Sequence, residues 1–411
     1  MIGEFDWKLE QTSKGDTWSR CLDMLWRGVE RAESSEVNFV PTHHWIPPSA
    51  DRSNEVGGYC LMSGTNGHNK CKGWSDQLVS DFRDGMTVCF AEALRLGLTI
   101  GIRPHLDDGT GHGAWRNALL LEPRKRYNGA SYYDIMLAPL ADAMRSALEQ
   151  TQGLRKGQPK PTIYFAMQGE MSATVMRYPR EWGALVEPLR KRVGPLAAVK
   201  FGIGLNWNRL DDTSSTSQTY QSSRLSWAAW ALGLSDFFGP AGSAPPLDAA
   251  GLRALFQQHL QFVGVSAYAP LSGPGFATKE LENAAFTLGD EMRNMGIDMQ
   301  GLIDSGALEL HYSEYGLGGG ARYSGTTIAT SPSEVALRPF FGIYGPYRSA
   351  SDPWSLPANR ALQREVSKVF IWCLASWDVL GVYPEATTSE GSYHDPTVSA
   401  LVRAHNAAVR K

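Results

Sequence analysis

The chain has 411 residues, 43% hydrophobic content and a formal net charge of -3. That is ample for a large core, and with both signs of charge mixed and no basic block, neither nucleic acid nor an anionic membrane is an expected partner. No apolar stretch approaches the roughly 20 residues that a membrane span needs. The first residues lack the basic, apolar, small-residue order of a signal peptide, which fits a cytoplasmic protein or a secreted one with its signal removed.

Cysteines stand at 21, 60, 71, 89 and 373. Cys60 and Cys71 bracket a polar Gly/Asn loop segment; a disulfide across it and two thiols in a reducing compartment are both open readings. There is no CxxC pair, and the histidines lack metal-ligand spacing, so no metal is expected.

In chain order, short apolar runs rich in β-favouring residues predict strands over 36–42, 98–105, 162–168, 199–206, 261–268, 307–313 and 369–377, with a weaker eighth near Gly3–Trp7. Helical stripes separate them. Leu78, Phe82, Met86, Cys89 and Phe90 fall on one face, as do Leu137, Leu140, Met144 and Leu148. Pro179 suits a first helical turn, followed by the stripe Trp182, Leu185, Val186 and Leu189. Eight such strand–helix units predict an α/β fold, a single (β/α)8 TIM barrel spanning 1–411. An open doubly wound sheet usually carries a Gly-rich turn after its first strand, and the first 30 residues have none. Long connections at 46–75, within 207–260 and at 316–357 would sit on the C-terminal face, where loops build a cleft.

The strand ends collect polar and aromatic side chains. His43, His44 and Trp45 follow the 36–42 run. Arg103, His105 and Asp107 lie at the next strand end, with Trp115, Arg116 and Asn117 beyond. Asn206 and Trp207 end the fifth run, Tyr268 the sixth, and Trp377 the last. Flat rings pack on the C–H faces of sugars, and Asn, Arg and His bond their hydroxyls. Taken singly, each has a structural reading: a rim tryptophan that only packs, a satisfied histidine, an arginine in a salt bridge.

Two glutamates carry more. Thr162-Ile163-Tyr164-Phe165-Ala166-Met167 leads through Gln168 and Gly169 to Glu170, and the run at 307–313 leads to Glu314. Carboxylates just past the ends of barrel strands are where that fold keeps its chemistry, and two facing each other is the usual glycosidase arrangement. The Gly-rich run 316–320 could instead hold phosphate, but no phosphate-loop Lys or Ser/Thr follows it.

With these residues in view, the chain resembles the retaining (β/α)8 glycosidases of glycoside hydrolase clan A, and most resembles family 113, the endo-β-1,4-mannanases. The likeness rests on IRPHLDDG with AWRN (102–109, 114–117), FAMQGEM (165–171), FVGVSAYAPL (262–271) and SEYG (313–316), in the clan's order. It implies Glu170 as acid/base and Glu314 as nucleophile. It further implies Arg103, His105, Trp115, Arg116, Asn206, Trp207, Tyr268 and Trp377 as cleft or subsite residues. One departure stands out: most of the clan has Asn immediately before the acid/base, contacting the sugar 2-hydroxyl, and here that position is Gly169. Asn206, Gln168 or His105 is left to make the contact.

The resemblance implies a monomer acting on an oligo- or polysaccharide, mannan-type favoured, by double displacement without cofactor. An exo-β-mannosidase, a glucanase, a xylanase, a galactanase and a non-catalytic carbohydrate-binding barrel stay open as alternatives, as does a phosphate-binding barrel enzyme. Two expectations are geometric and electrostatic. The two carboxyl groups should lie roughly 5–5.5 Å apart if the enzyme retains configuration. Burial of Glu170 among Met167, Met171 and aromatic rings, with the Glu314 charge nearby, should favour its acid form.

Overall fold

The computed structural model describes residues 2–4, 7–15, 17–62, 71–110, 116–207, 210, 248–267, 282–316, 366–372 and 396–409. Within them eight strands run parallel: β1 (Ile2–Glu4), β2 (Glu36–Ile46), β3 (Thr99–Ile102), β4 (Thr162–Ala166), β5 (Ala198–Asn206), β6 (Phe262–Ser266), β7 (Glu309–Gly316) and β8 (Lys368–Trp372). Each pairs with the next in chain order. Helices lie in the connections, among them α1 (Arg20–Ala32), α2 (Asp76–Arg95) and α3 (Ala138–Thr151).

The sheet is rolled. Neighbouring strands sit about 4.8 Å apart, so six steps along a flat sheet would separate β2 from β8 by roughly 29 Å. Yet Lys368 at the start of β8 forms an ion pair with Glu36 at the start of β2. Arg103, just past β3, likewise reaches Glu314 in β7 at 3.0 Å. Among the described residues no ladder joins β8 to β1.

Alternation along each strand divides the core in two. Ile163, Phe165, Ile203, Val263 and Val265 point outward and join one large cluster with the helices. Tyr164, Ala166 and Phe262 form a separate small cluster on the inner face. Glycines at inner positions make room there: a Cβ on Gly202 would meet the Phe262 ring at 2.6 Å, and one on Gly204 would meet Arg103 Nε at 2.6 Å.

The helical stripes pack as their spacing predicts. Phe82, Met86, Cys89 and Phe90 are buried, and so are Leu137, Leu140, Met144 and Leu148. At roughly 1.5–3 kcal/mol for each large apolar side chain, these faces fix the helices to the sheet. Ser75 caps α2 by accepting from Leu78 N at 3.2 Å, a contact typically worth ~1 kcal/mol. The 179–193 segment is two helices, Pro179–Gly183 and Val186–Val193, with its stripe buried.

Four points differ from the sequence reading. First, β2 runs on to Ile46, so His43, His44 and Trp45 lie within the strand. They are held by pairing with His105–Asp108 on one side and Gly58–Met62 on the other. Second, the 46–75 connection therefore carries strands of its own, Gly58–Met62 and Cys71–Gly73. Third, the 98–105 run is broken: β3 ends at Ile102, and Pro104, which has no N–H to give the ladder, precedes the separate strand His105–Asp108. Fourth, a disulfide not foreseen joins Cys21 of α1 to Cys89 of α2. Closing a chain segment of that length is typically worth ~2–4 kcal/mol. Cys60 is disulfide-bonded as well.

Candidate active site

At the carboxyl ends of the strands, five charged or polar side chains converge. Glu314 reaches the inner face through a β-bulge. Val265 stands opposite Tyr312, but Ser266 stands opposite Glu314, so Ser313 is the extra residue. Without it Glu314 would fall on the outward phase; bulges re-aim side chains in this way. Glu314 is 3% exposed. Arg103 Nη1 lies 3.0 Å from its Oε1, while Arg103 Nη2 donates to Ser266 Oγ at 2.7 Å. Asn38 in β2 braces the bulge by donating to the Ser313 carbonyl at 3.2 Å.

Glu170 adopts a left-handed backbone, with φ of +57°. For a non-glycine residue this costs about 1–3 kcal/mol and persists only where the surroundings enforce it. Here the ladder to β5 does so: Gly204 N donates to Gln168 O at 2.8 Å, and Glu170 N to Gly204 O at 3.1 Å. Gly169 is glycine for space. A Cβ there would lie 2.4 Å from the Cδ2 and Nε2 atoms of His105.

Glu170, Glu314 and His105 bring one oxygen or nitrogen each within 4.8 Å of one another. Such a trio has the donor set for a cation. Two guanidiniums already supply that charge, Arg103 on Glu314 and Arg116 on Glu170, the latter at 3.0 Å.

Arg116 is the hub of the site. It contacts Asp107, Glu170 Oε2 and His105 Nδ1. Burial works against its charge, but Asp107, Glu170 and Glu314 outweigh that and raise its pKa further. Met167 and Met171 are buried as expected, and Glu170 has in addition a cation for its polar partner. His105 is 2% exposed, and burial, reinforced by Arg116 and Arg103, holds its pKa well below the usual imidazole range.

The other sequence candidates divide. Asn206 closes β5, its Oδ1 accepting from Trp207 N at 2.8 Å. Trp207 is 3% exposed within the main core cluster. Trp115, Tyr268 and Trp377 lie outside the described residues. His43 packs edge-on against Phe82 with ring centroids 4.5 Å apart, and burial lowers its pKa to about 3, which marks it as a core residue. Ser266 and Ser313 were missed. Only the glycine-and-serine alternation of VGVS signals a crowded inner face there, and nothing in the sequence marks the bulge.

Among solved structures, the chain is similar to a family 113 β-1,4-mannanase at 12% identity, with a TM-score of 0.48 and 99% of this chain and 98% of that one covered. It is similar to the family 113 β-mannanase of Alicyclobacillus acidocaldarius, solved in complex with ManMIm, at 12% identity and a TM-score of 0.46, covering 99% and 96% of the two chains. A family 5 xyloglucanase of Bacteroides ovatus, in complex with a heptasaccharide, follows at 11% identity and a TM-score of 0.40, covering 99% of this chain and 74% of that one. No protein-family model matches the chain, and no curated protein matches it.

Proposed function

We propose that the chain is a retaining glycoside hydrolase of mannan-type β-1,4-linked substrates, built as one (β/α)8 barrel whose ladder closes between β8 and β1. The observation that carries this is the pairing of Glu170 and Glu314 at the ends of β4 and β7, with carboxylate oxygens within 4.8 Å. That closeness suits a nucleophile and an acid/base acting on one anomeric carbon. An inverting enzyme instead places water between carboxyls about 6.5–9.5 Å apart, so the closeness favours the retaining reading.

In the first step Glu314 attacks the anomeric carbon, forming a glycosyl ester while the glycosidic bond breaks. Glu170 delivers its proton to the departing oxygen. In the second step Glu170 takes a proton from water, the water oxygen attacks the anomeric carbon, and Glu314 leaves as carboxylate. Arg103 fixes the nucleophile and sets a positive charge against it. Arg116 is shared between Glu170 and Asp107, so it keeps a carboxylate partner when Glu170 takes up its proton. The sugar preference and the internal mode of cleavage rest on the family resemblance, and no cofactor enters the scheme.

The test is a hydrolysis screen on defined manno-, gluco-, xylo- and galacto-oligosaccharides, with product sizes and first-formed anomer read by NMR. Internal cleavage of manno-oligosaccharides releasing the β-anomer first is expected. Release of the α-anomer first would remove the double displacement. Glu314→Ala should lose roughly 10⁴-fold or more in kcat. Azide should restore turnover and yield the α-glycosyl azide.

A further inference from the structure

We propose that the His105 Nε2–H group is the donor to the hydroxyl on the carbon next to the anomeric centre, and that position 169 is glycine in order to admit that ring. The inference rests on the glycosidase reading above and adds to it the residue that senses the 2-position.

The ring's tautomer follows from its partner. Arginine only donates hydrogen bonds, and Arg116 Nη1 is bonded to His105 Nδ1, so Nδ1 carries the lone pair. A neutral imidazole then holds its single proton on Nε2. That nitrogen is buried and has no hydrogen-bond partner. Its nearest charged neighbour is Glu314 Oε1 at 3.4 Å, a long contact that leaves the donor unsatisfied. A buried N–H without an acceptor is costly, and in a ligand site the ligand is the acceptor it awaits.

Geometry says which atom of the ligand that is. A sugar attacked by Glu314 must bring its anomeric carbon to the carboxylate, and its 2-hydroxyl oxygen is two bonds further on. The Nε2–H group borders the same carboxylate oxygen, so it meets the sugar at that hydroxyl. The competing amides have committed their oxygens, although the Gln168 Nε2 group is buried and also lacks a partner. Gln168 is fully buried with its Oε1 accepting from Met171 N at 2.9 Å, and Asn206 spends its Oδ1 on Trp207 N. The ring also takes the volume that any side chain at 169 would need, since even a Cβ would lie 2.4 Å from Nε2. An imidazole arriving from the 105 strand and a side chain arriving from position 169 are thus mutually exclusive.

The test is an enzyme–substrate double cycle. The kcat/KM for 4-nitrophenyl β-mannotrioside and its analogue lacking the 2-hydroxyl on the sugar bonded to nitrophenol is measured with the wild type, His105→Ala and His105→Gln. Removing the 2-hydroxyl should cost the wild type about 10–10²-fold, and His105→Ala less than about threefold, because the partner is already gone. His105→Gln, whose amide places an N–H near the position of Nε2, should recover part of the discrimination, which a merely structural loss would not. An equal penalty in wild type and His105→Ala overturns the assignment while leaving the glycosidase reading intact. Failure of the wild type to hydrolyse any glycoside overturns both.

Discussion

The two ends of the rolled sheet both carry clustered charge, and they use it in opposite ways. At the amino ends of the strands, Lys200 pairs with Glu309, Lys368 with Glu36, and His311 Nε2 meets Glu309 Oε2 at 3.0 Å. Both lysines also lie over the Tyr164 ring, at 5.3 and 5.0 Å from its centroid. Phe262 and His311 stack at 4.8 Å beneath it. Every one of these charges has a partner, and aromatic rings fill the space between. At the carboxyl ends the charges are arginines and glutamates, Arg103 and Glu314 are 1% and 4% exposed at the side chain, and Nε2 of His105 and Nε of Arg103 lack hydrogen-bond partners. One backbone is left-handed, one strand is bulged, and one glycine holds a ring's volume open. A plug meant only to hold the fold satisfies its groups. A site meant to take a ligand leaves some waiting and accepts strain to aim them.

That contrast can be broken by mutation. At the carboxyl end, Glu170→Ala should cost about 10²–10⁴-fold in kcat on glycosides with poor leaving groups. The loss should be far smaller with nitrophenyl glycosides, azide should give the β-azide, and the unfolding curve should move little. An equal loss for all leaving groups would remove the acid role. At the amino end, Phe262→Ala should do the reverse. It empties the inner aromatic cluster and should cost ~3–5 kcal/mol in denaturant unfolding, with kcat per folded molecule unchanged. A large fall in kcat at full stability would erase the division between the ends.

Smaller effects sharpen it. Gly169→Ala forces the His105 ring aside and should lower kcat/KM about 10²-fold, the scale of a displacement near 1 Å. Adding His105→Ala should relieve most of the clash, so the double variant should lose less than the two single losses combined; full additivity would separate the two positions. The mildest signature is acid sensitivity. Burial opposes the Glu309 charge, but its bonds to His311 and Lys200 prevail and bring its pKa down from 4.5 to about 2. The unfolded chain therefore binds the proton first, and stability present above pH 4.5 is lost as pH falls towards about 2. Lys200→Met should flatten that acid limb in urea unfolding measured at stepped pH, while costing ~1 kcal/mol or less at neutral pH.

Much of this architecture was legible in the chain. Runs of β-favouring residues located seven strands to within a few residues, and the short Ile2–Glu4 strand fell at the weak eighth signal. The glutamates stood out because nothing in a packed strand end calls for a carboxylate. What the sequence hid was set by contacts between distant residues. The extension of β2 to Ile46 depends on two partner strands. The inward aim of Glu314 depends on a one-residue bulge that no local pattern announces. Gly169 read as a departure from a family pattern, and only the His105 ring above it gives the cause. The Arg116–Glu170 contact crosses 54 positions and adds a cation that the local sequence does not announce.

The central claim is that Glu314 forms a covalent bond to the sugar. The direct measurement is intact-protein and peptide mass spectrometry after incubation with 2-deoxy-2-fluoro-β-mannosyl fluoride, whose second step is slow. A nucleophilic Glu314 should give a mass increase of one fluorosugar per chain, mapped by proteolysis to the peptide bearing Glu314 and absent in Glu314→Gln. An adduct on Glu170, or turnover of manno-oligosaccharides with no adduct at any time, would contradict it.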